Sequence, residues 1–164
     1  LVFLTGPTFA SCQTDGLKFD HAQLRATPPN APVSAGYLQI INTTGQTQTL
    51  VSASAPFAKR AEIHDMKHDS GVMKMYEIER GLAVPDRLTV ALMPKGRHLM
   101  FMDLDRQLKE DDIFSVTLQF VPCGRVTLPF HVTRLPGLGH TDGETHTKGH
   151  EQKDHDHKQH DHSH

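Results

Sequence analysis

Apolar and β-branched residues recur along this chain in short runs, and several runs alternate them with polar residues. The clearest run is 113–120, where Phe114, Val116, Leu118 and Phe120 point to one side and Ser115, Thr117 and Gln119 to the other. Similar runs fall at 17–24, 35–42, 47–53, 60–66, 72–78, 87–92 and 125–133. Turn formers separate them, among them Pro28-Pro29-Asn30, Asn42-Thr43-Thr44-Gly45, Asp69-Ser70-Gly71 and Pro94-Lys95-Gly96. Pro129 inside the last run predicts an edge strand, because proline cannot donate to a ladder. No helical period is sustained; a short helical turn around 104–108 is the one candidate. The pattern predicts an all-β domain, an immunoglobulin-like β-sandwich or a small barrel.

Both ends break the pattern. Residues 1–12 carry no charge and read as the end of a secretory leader. Phe9-Ala10-Ser11-Cys12 fits a lipoprotein cleavage box with Cys12 acylated; cleavage after Ala10 and an ordinary first strand are the other readings. Beyond Pro136-Gly137-Leu138-Gly139, residues 140–164 contain no Val, Ile, Leu, Met, Phe or Tyr, so nothing there can bury a core and disorder without metal is expected. The expected division is a leader and linker at 1–16, a β-domain at 17–135 and a flexible tail at 136–164. Cys12 and Cys123 are the only cysteines; they could pair in an oxidising compartment, or Cys123 is a lone thiol.

Charge narrows the partners. The formal net charge is −2 and the basic residues are scattered singly, which argues against nucleic acid. No stretch reaches the roughly 18 to 20 apolar residues of a membrane span, so membrane contact is expected only through a lipid on Cys12. Export to the periplasm is the expected location.

The candidate chemistry lies in the middle of the chain. All six methionines fall between Met66 and Met102, with histidines interleaved in His64-Asp65-Met66, Val72-Met73-Lys74-Met75 and His98-Leu99-Met100. Thioether sulfur with imidazole nitrogen is a ligand mixture suited to Cu(I). A hairpin with its loop at 67–71 would set His64 opposite Met75 and Met66 opposite Met73, all on one face. His98 and Met100 also share a side, and bringing that segment alongside completes a two-histidine, two-methionine site. Methionine also fills core gaps; packing is the reading for Met93 and Met102, while Met66 and Met73 either pack or stand behind the ligands. His21, His68 and His131 read as ordinary strand and loop residues.

These stretches, with Arg25-Ala26-Thr27-Pro28-Pro29, Ala35-Gly36-Tyr37-Leu38 and Gly71-Val72-Met73, resemble the periplasmic copper chaperones of the PCuAC family across 17–133. That family's pattern is His, ten residues, Met, about twenty-one residues, then His-x-Met. Here the intervals are ten and twenty-two, an extra residue that the 81–86 turn region could absorb. The resemblance implies a cupredoxin-like fold and Cu(I) held by His64, Met75, His98 and Met100. It also implies delivery to a recipient in respiratory oxidase assembly, either a copper-A site or a Sco-like chaperone.

Thirteen histidines are present, and His140, His146, His150, His155, His157, His160, His162 and His164 lie in the tail. Interleaved with Asp they offer nitrogen and oxygen suited to Cu(II) or Zn(II). The alternatives are a solvated tail with no specific role, or a periplasmic copper or zinc buffer conferring tolerance. No nucleophile elbow, Walker loop or His-Glu-x-x-His motif occurs, which leaves no enzyme class to nominate. That no Met follows Cys123 argues against a blue-copper centre.

Overall fold

Alternation becomes ten strands in the computed structural model, which describes residues 14–134. In chain order they are β1 (Leu17–Arg25), β2 (Val33–Asn42), β3 (Gln48–Ser54), β4 (Ala58–Asp69), β5 (Val72–Glu77), β6 (Leu82–Val84), β7 (Thr89–Leu92), β8 (His98–Leu104), β9 (Ile113–Val121) and β10 (Gly124–Thr133). The eight expected runs correspond to eight of these, and β6 and β8 are additional. All but one are joined in the path β5-β4-β8-β2-β1-β10-β9-β3-β6, and β7 pairs with β2 beside β8. The sheet curls, because the 85–88 connection brings its β6 end back to β2: Arg87 donates to the Asn42 carbonyl at 2.7 Å and Asn42 to that of Leu88 at 3.0 Å. This is the expected all-β, cupredoxin-like architecture.

The core lies inside the curl. Leu99 and Phe101 of β8, Ile63 of β4, Leu38 and Ile40 of β2, Val116, Leu118 and Phe120 of β9, and Phe130 and Val132 of β10 are buried there. Phe57 packs on Phe101 and Phe114, with ring centroids 5.2 and 5.0 Å apart. Each such side chain contributes about 1.5–3 kcal/mol by leaving water. Buried polar groups pin the corners. Asn42 Nδ2 donates to the carbonyls of Gln46 and Val84, while Gln48 Oε1 accepts from the Cys123 amide. Cys123 is disulfide-bonded. The sequence holds one other cysteine, Cys12, which lies outside the described residues.

Two expectations are corrected. β10 is an interior strand between β1 and β9, but β1 joins it only at His131, Val132 and Thr133, so Pro129 sits where only β9 is hydrogen-bonded. No helical turn forms at 104–108. Leu108 is fully buried there and its amide donates to Thr27 Oγ1 while its carbonyl accepts from the Thr27 amide, so long-range bonds replace helical ones. The leader and the histidine tail lie outside the described residues.

Candidate metal centre

The site is built on three neighbouring strands, β5, β4 and β8, at one end of the sheet path. On β8 the odd positions Leu99 and Phe101 enter the core, so His98, Met100 and Met102 face outward. On β4, Ile63 enters the core, and Glu62, His64 and Met66 face outward with them. The β4–β8 register sets His64 directly opposite His98, and Glu62 opposite Met100. The two imidazole rings are 5.7 Å apart in a near-perpendicular arrangement.

The hairpin register differs from the expected one. His64 pairs with Glu77, Met66 with Met75 and His68 with Met73, a slip of two residues. The cause is the turn. Ser70 and Gly71 both have positive φ, 50° and 85°, as a two-residue type I′ turn requires, and β4 runs on through Asp69 instead of ending at Met66. A slip of two preserves the side on which each residue stands. Met75 therefore still faces the site, though not opposite His64. It reaches over β4, spanning two strand spacings of about 4.8 Å each, and its Sδ lies 3.2 Å from His98 Nε2.

Hydrogen bonds occupy one nitrogen of each ring and leave the other open. His98 Nδ1 lies 2.9 Å from the Gly96 carbonyl oxygen, which can only accept, so Nδ1 carries the proton and Nε2 presents its lone pair to Met75. His64 is the reverse: Nε2 lies 2.8 Å from the Glu62 carboxylate, and Nδ1 is buried with no partner. An ion bonded at about 2.0 Å to nitrogen and 2.3 Å to sulfur with a tetrahedral angle, taking the lengths zinc shows, would hold those atoms about 3.5 Å apart. The Met75–His98 pair is within a few tenths of an ångström of that spacing. Among the described residues no three His, Cys, Asp or Glu side chains converge as a metal site; the donors gathered on this face are imidazole nitrogen and thioether sulfur.

Burial is graded across the site. His98 is 7% exposed and Met75, on the edge strand, is 49% exposed. Tyr37 of β2 flanks the His98 ring, centroids 6.5 Å apart; burial pushes its hydroxyl pKa up, opposed in part by the Arg25 charge. Met100 stands on the same face beside Ala35 and Glu62 and lines a small hollow with Arg25 and Pro28. The structure thus gathers His64, Met75 and His98 and sets Met100 next along the face. Met66 is half-buried opposite Met75, and Met73 is exposed opposite His68. Met93, read as core packing, is instead 52% exposed in the turn before β8. Met102 is half-buried on the outer face, its sulfur 3.6 Å from Arg60 Nη2. His21 lies at a bulge in β1 with φ 54°, and His68 and His131 are exposed on strands. His68 therefore belongs to β4 and not to a loop. Glu62 was missed in the sequence, although its position two residues before His64 puts it on the same face.

Comparison with known proteins agrees with this fold. The family model "Putative lipoprotein LpqE-like" matches residues 17–132. The putative lipoprotein Lxx21020 of Leifsonia xyli subsp. xyli is 30% identical over 108 residues, 66% of this chain and 64% of that protein. The uncharacterized protein RP573 of Rickettsia prowazekii is 32% identical over 87 residues, 53% of this chain and 48% of that one. The chain therefore spans less than two thirds of the length of either relative. Among solved structures, the copper-bound PCuAC domain from PmoF2 superposes with a TM-score of 0.60 at 20% identity, covering 71% of this chain and 92% of that one. The solution structure of CuI-DR1885 from Deinococcus radiodurans gives 0.56 at 28% identity, covering 71% and 76%. The chain belongs to the LpqE-like family and carries the fold of the PCuAC domains.

Proposed function

We propose that the protein is a periplasmic copper chaperone, holding Cu(I) through His64, Met75, His98 and Met100 and passing it to a partner. The observation that carries this reading is His98 Nε2 lying 3.2 Å from the Met75 sulfur while its Nδ1 is bonded to the Gly96 carbonyl, with the neighbouring His64 ring holding a buried Nδ1 that has no partner. Two lone-pair donors aimed at each other repel unless a cation lies between them. Sulfur ligands favour a soft monovalent ion over Zn(II) or Cu(II). Two structural neighbours, a copper-bound PCuAC domain and CuI-DR1885, support the same metal. Imidazole and thioether add no charge, so the ion is held without thiolate and can be exchanged to another soft site. Recipients in respiratory oxidase assembly, a copper-A site or a Sco-like chaperone, match that chemistry.

The eight tail histidines support a second, looser station that captures Cu(II) or Zn(II) and raises the local metal concentration. They also favour a runner-up reading, a copper or zinc buffer for tolerance. Deleting the gene separates the two: oxidase activity lost and restored by added copper indicates delivery, and copper sensitivity alone indicates buffering. The site itself is tested by anaerobic Cu(I) titration against a calibrated chelator. Wild type should retain one tightly bound ion per chain, and Met75→Leu should weaken it by at least tenfold; equal affinities would refute the assignment.

A further inference from the structure

Glu62 is placed and held as a support for His64. The two residues are two apart on β4 and so share its outer face. Glu62 Oε2 lies 2.8 Å from His64 Nε2, and Oε1 lies 3.3 Å from Arg60 Nη1. Arg60 is anchored in turn by Asp103, Nε to Oδ2 at 3.3 Å. The carboxylate is thus fixed from behind by a guanidinium, and its other oxygen accepts a hydrogen bond from the imidazole Nε2–H. A carboxylate can only accept, so this bond dictates the His64 tautomer and leaves Nδ1 as the lone-pair nitrogen. That nitrogen is buried, with no partner. An unpartnered buried acceptor is unfavourable, which is relieved if a ligand takes its lone pair.

We infer that Glu62 is a positioning residue, orienting His64 so that it meets the metal through Nδ1 while His98 meets it through Nε2. The two imidazoles would then use opposite nitrogens, each set by the hydrogen bond made by its other nitrogen: Glu62 for His64 and the Gly96 carbonyl for His98. The carboxylate also leaves a negative charge on the same strand face, two positions from His64. This inference rests on the Cu(I) site proposed above.

The test uses the full chain labelled with 15N-histidine, with His64 and His98 assigned from His64→Gln and His98→Gln. Long-range 1H–15N spectra should show His64 protonated on Nε2 and His98 on Nδ1 before copper is added. Anaerobic Cu(I) should then move the Nδ1 resonance of His64 and the Nε2 resonance of His98. In Glu62→Ala the His64 tautomers should mix and Cu(I) affinity should fall about 10- to 100-fold, with the His98 pattern unchanged. Glu62→Gln keeps an accepting oxygen and should restore the tautomer and most of the affinity. Copper that binds but moves His64 Nε2, or a Glu62→Ala variant with unaltered tautomer and affinity, overturns the inference while leaving the site intact. Copper that moves no nitrogen of either histidine overturns the site, and the inference with it.

Discussion

Gly36 of β2 lies directly behind the metal face, and replacing it with alanine tests how the core supports that face. A Cβ built on Gly36 would stand 2.9 Å from Phe101 Cε2, 3.4 Å from Leu99 Cβ and 3.5 Å from Leu24 Cδ2. Comfortable carbon contacts are about 3.5–4.0 Å, so the Phe101 ring must retreat by more than half an ångström. It has nowhere to go, being fully buried against Phe57 with centroids 5.2 Å apart. Overpacking of this kind destabilises by about 1–3 kcal/mol. Unfolding entropy of about 2.1 cal/mol/K per residue over about 120 residues makes that a fall in Tm of roughly 4–12 °C. Leu99 and Phe101 alternate with His98 and Met100 on β8, so a shifted ring also displaces the ligands, and Cu(I) affinity should drop with stability. Calorimetry and chelator competition on Gly36→Ala measure both. Adding Phe101→Leu makes room, so the double variant should lose less stability than the two single variants together. A Gly36→Ala protein within about 0.5 kcal/mol of wild type, or strictly additive losses, would refute the argument.

At the hairpin, Gly71 has φ 85° and an added Cβ would meet nothing within 4 Å. Gly71→Ala should therefore destabilise by about 1–2 kcal/mol through backbone conformation alone, and an unchanged denaturation midpoint would contradict the type I′ assignment. Tyr37 carries a pKa raised by burial from its ordinary 10.0, so the folded state keeps its proton after the unfolded chain has lost it. Its contribution to stability is full below pH 10 and lost as pH rises through the folded value. In a Tyr76→Phe background, with no tryptophan in the chain, tyrosinate absorbance should rise with a midpoint above 10.0; a midpoint at or below it refutes the burial. A truncation ending at Gly139 should lose Cu(II) stoichiometry and keep Cu(I) binding, and equal Cu(II) uptake by both forms would exclude a metal role for the tail.

Most strands were legible because one face of each is buried, which imposes alternation on the sequence. β6 has three residues, too few to show a period. β8 hid for a different reason: its outward residues are His98, Met100 and Met102, so His-Leu-Met-Phe-Met lacks the polar beat that marks a half-exposed strand. The same composition that makes the strand a candidate metal face erased its signature. Leu108 was read as helical because its role is set by Thr27, 81 positions away, which local pattern does not encode.

The site shows the division most clearly. Which residues share a face depends only on parity, and parity survived a register that was wrong by two residues. Which residues oppose each other depends on the turn, and Lys67, His68 and Asp69 look like loop residues though they lie on an exposed strand edge. The direction of each imidazole depends on a single hydrogen bond to Glu62 or to Gly96, and no sequence spacing reports a tautomer.

The gradation in burial bears on how an ion would leave. His98 is almost wholly enclosed and fixed by Gly96, and the His64 side chain is only 12% exposed. Met75 lies half in solvent on β5, whose six residues are all exposed and whose outer edge is unpaired among the described strands. On the function proposed above, an incoming ligand can reach Met75 without disturbing the core, whereas either histidine is more enclosed and held by a part-buried hydrogen bond to Glu62 or Gly96. The most accessible bond to such an ion would therefore be the outermost one. Exchange should begin at the thioether of β5 and end at the imidazoles, an order imposed by packing before any partner is chosen.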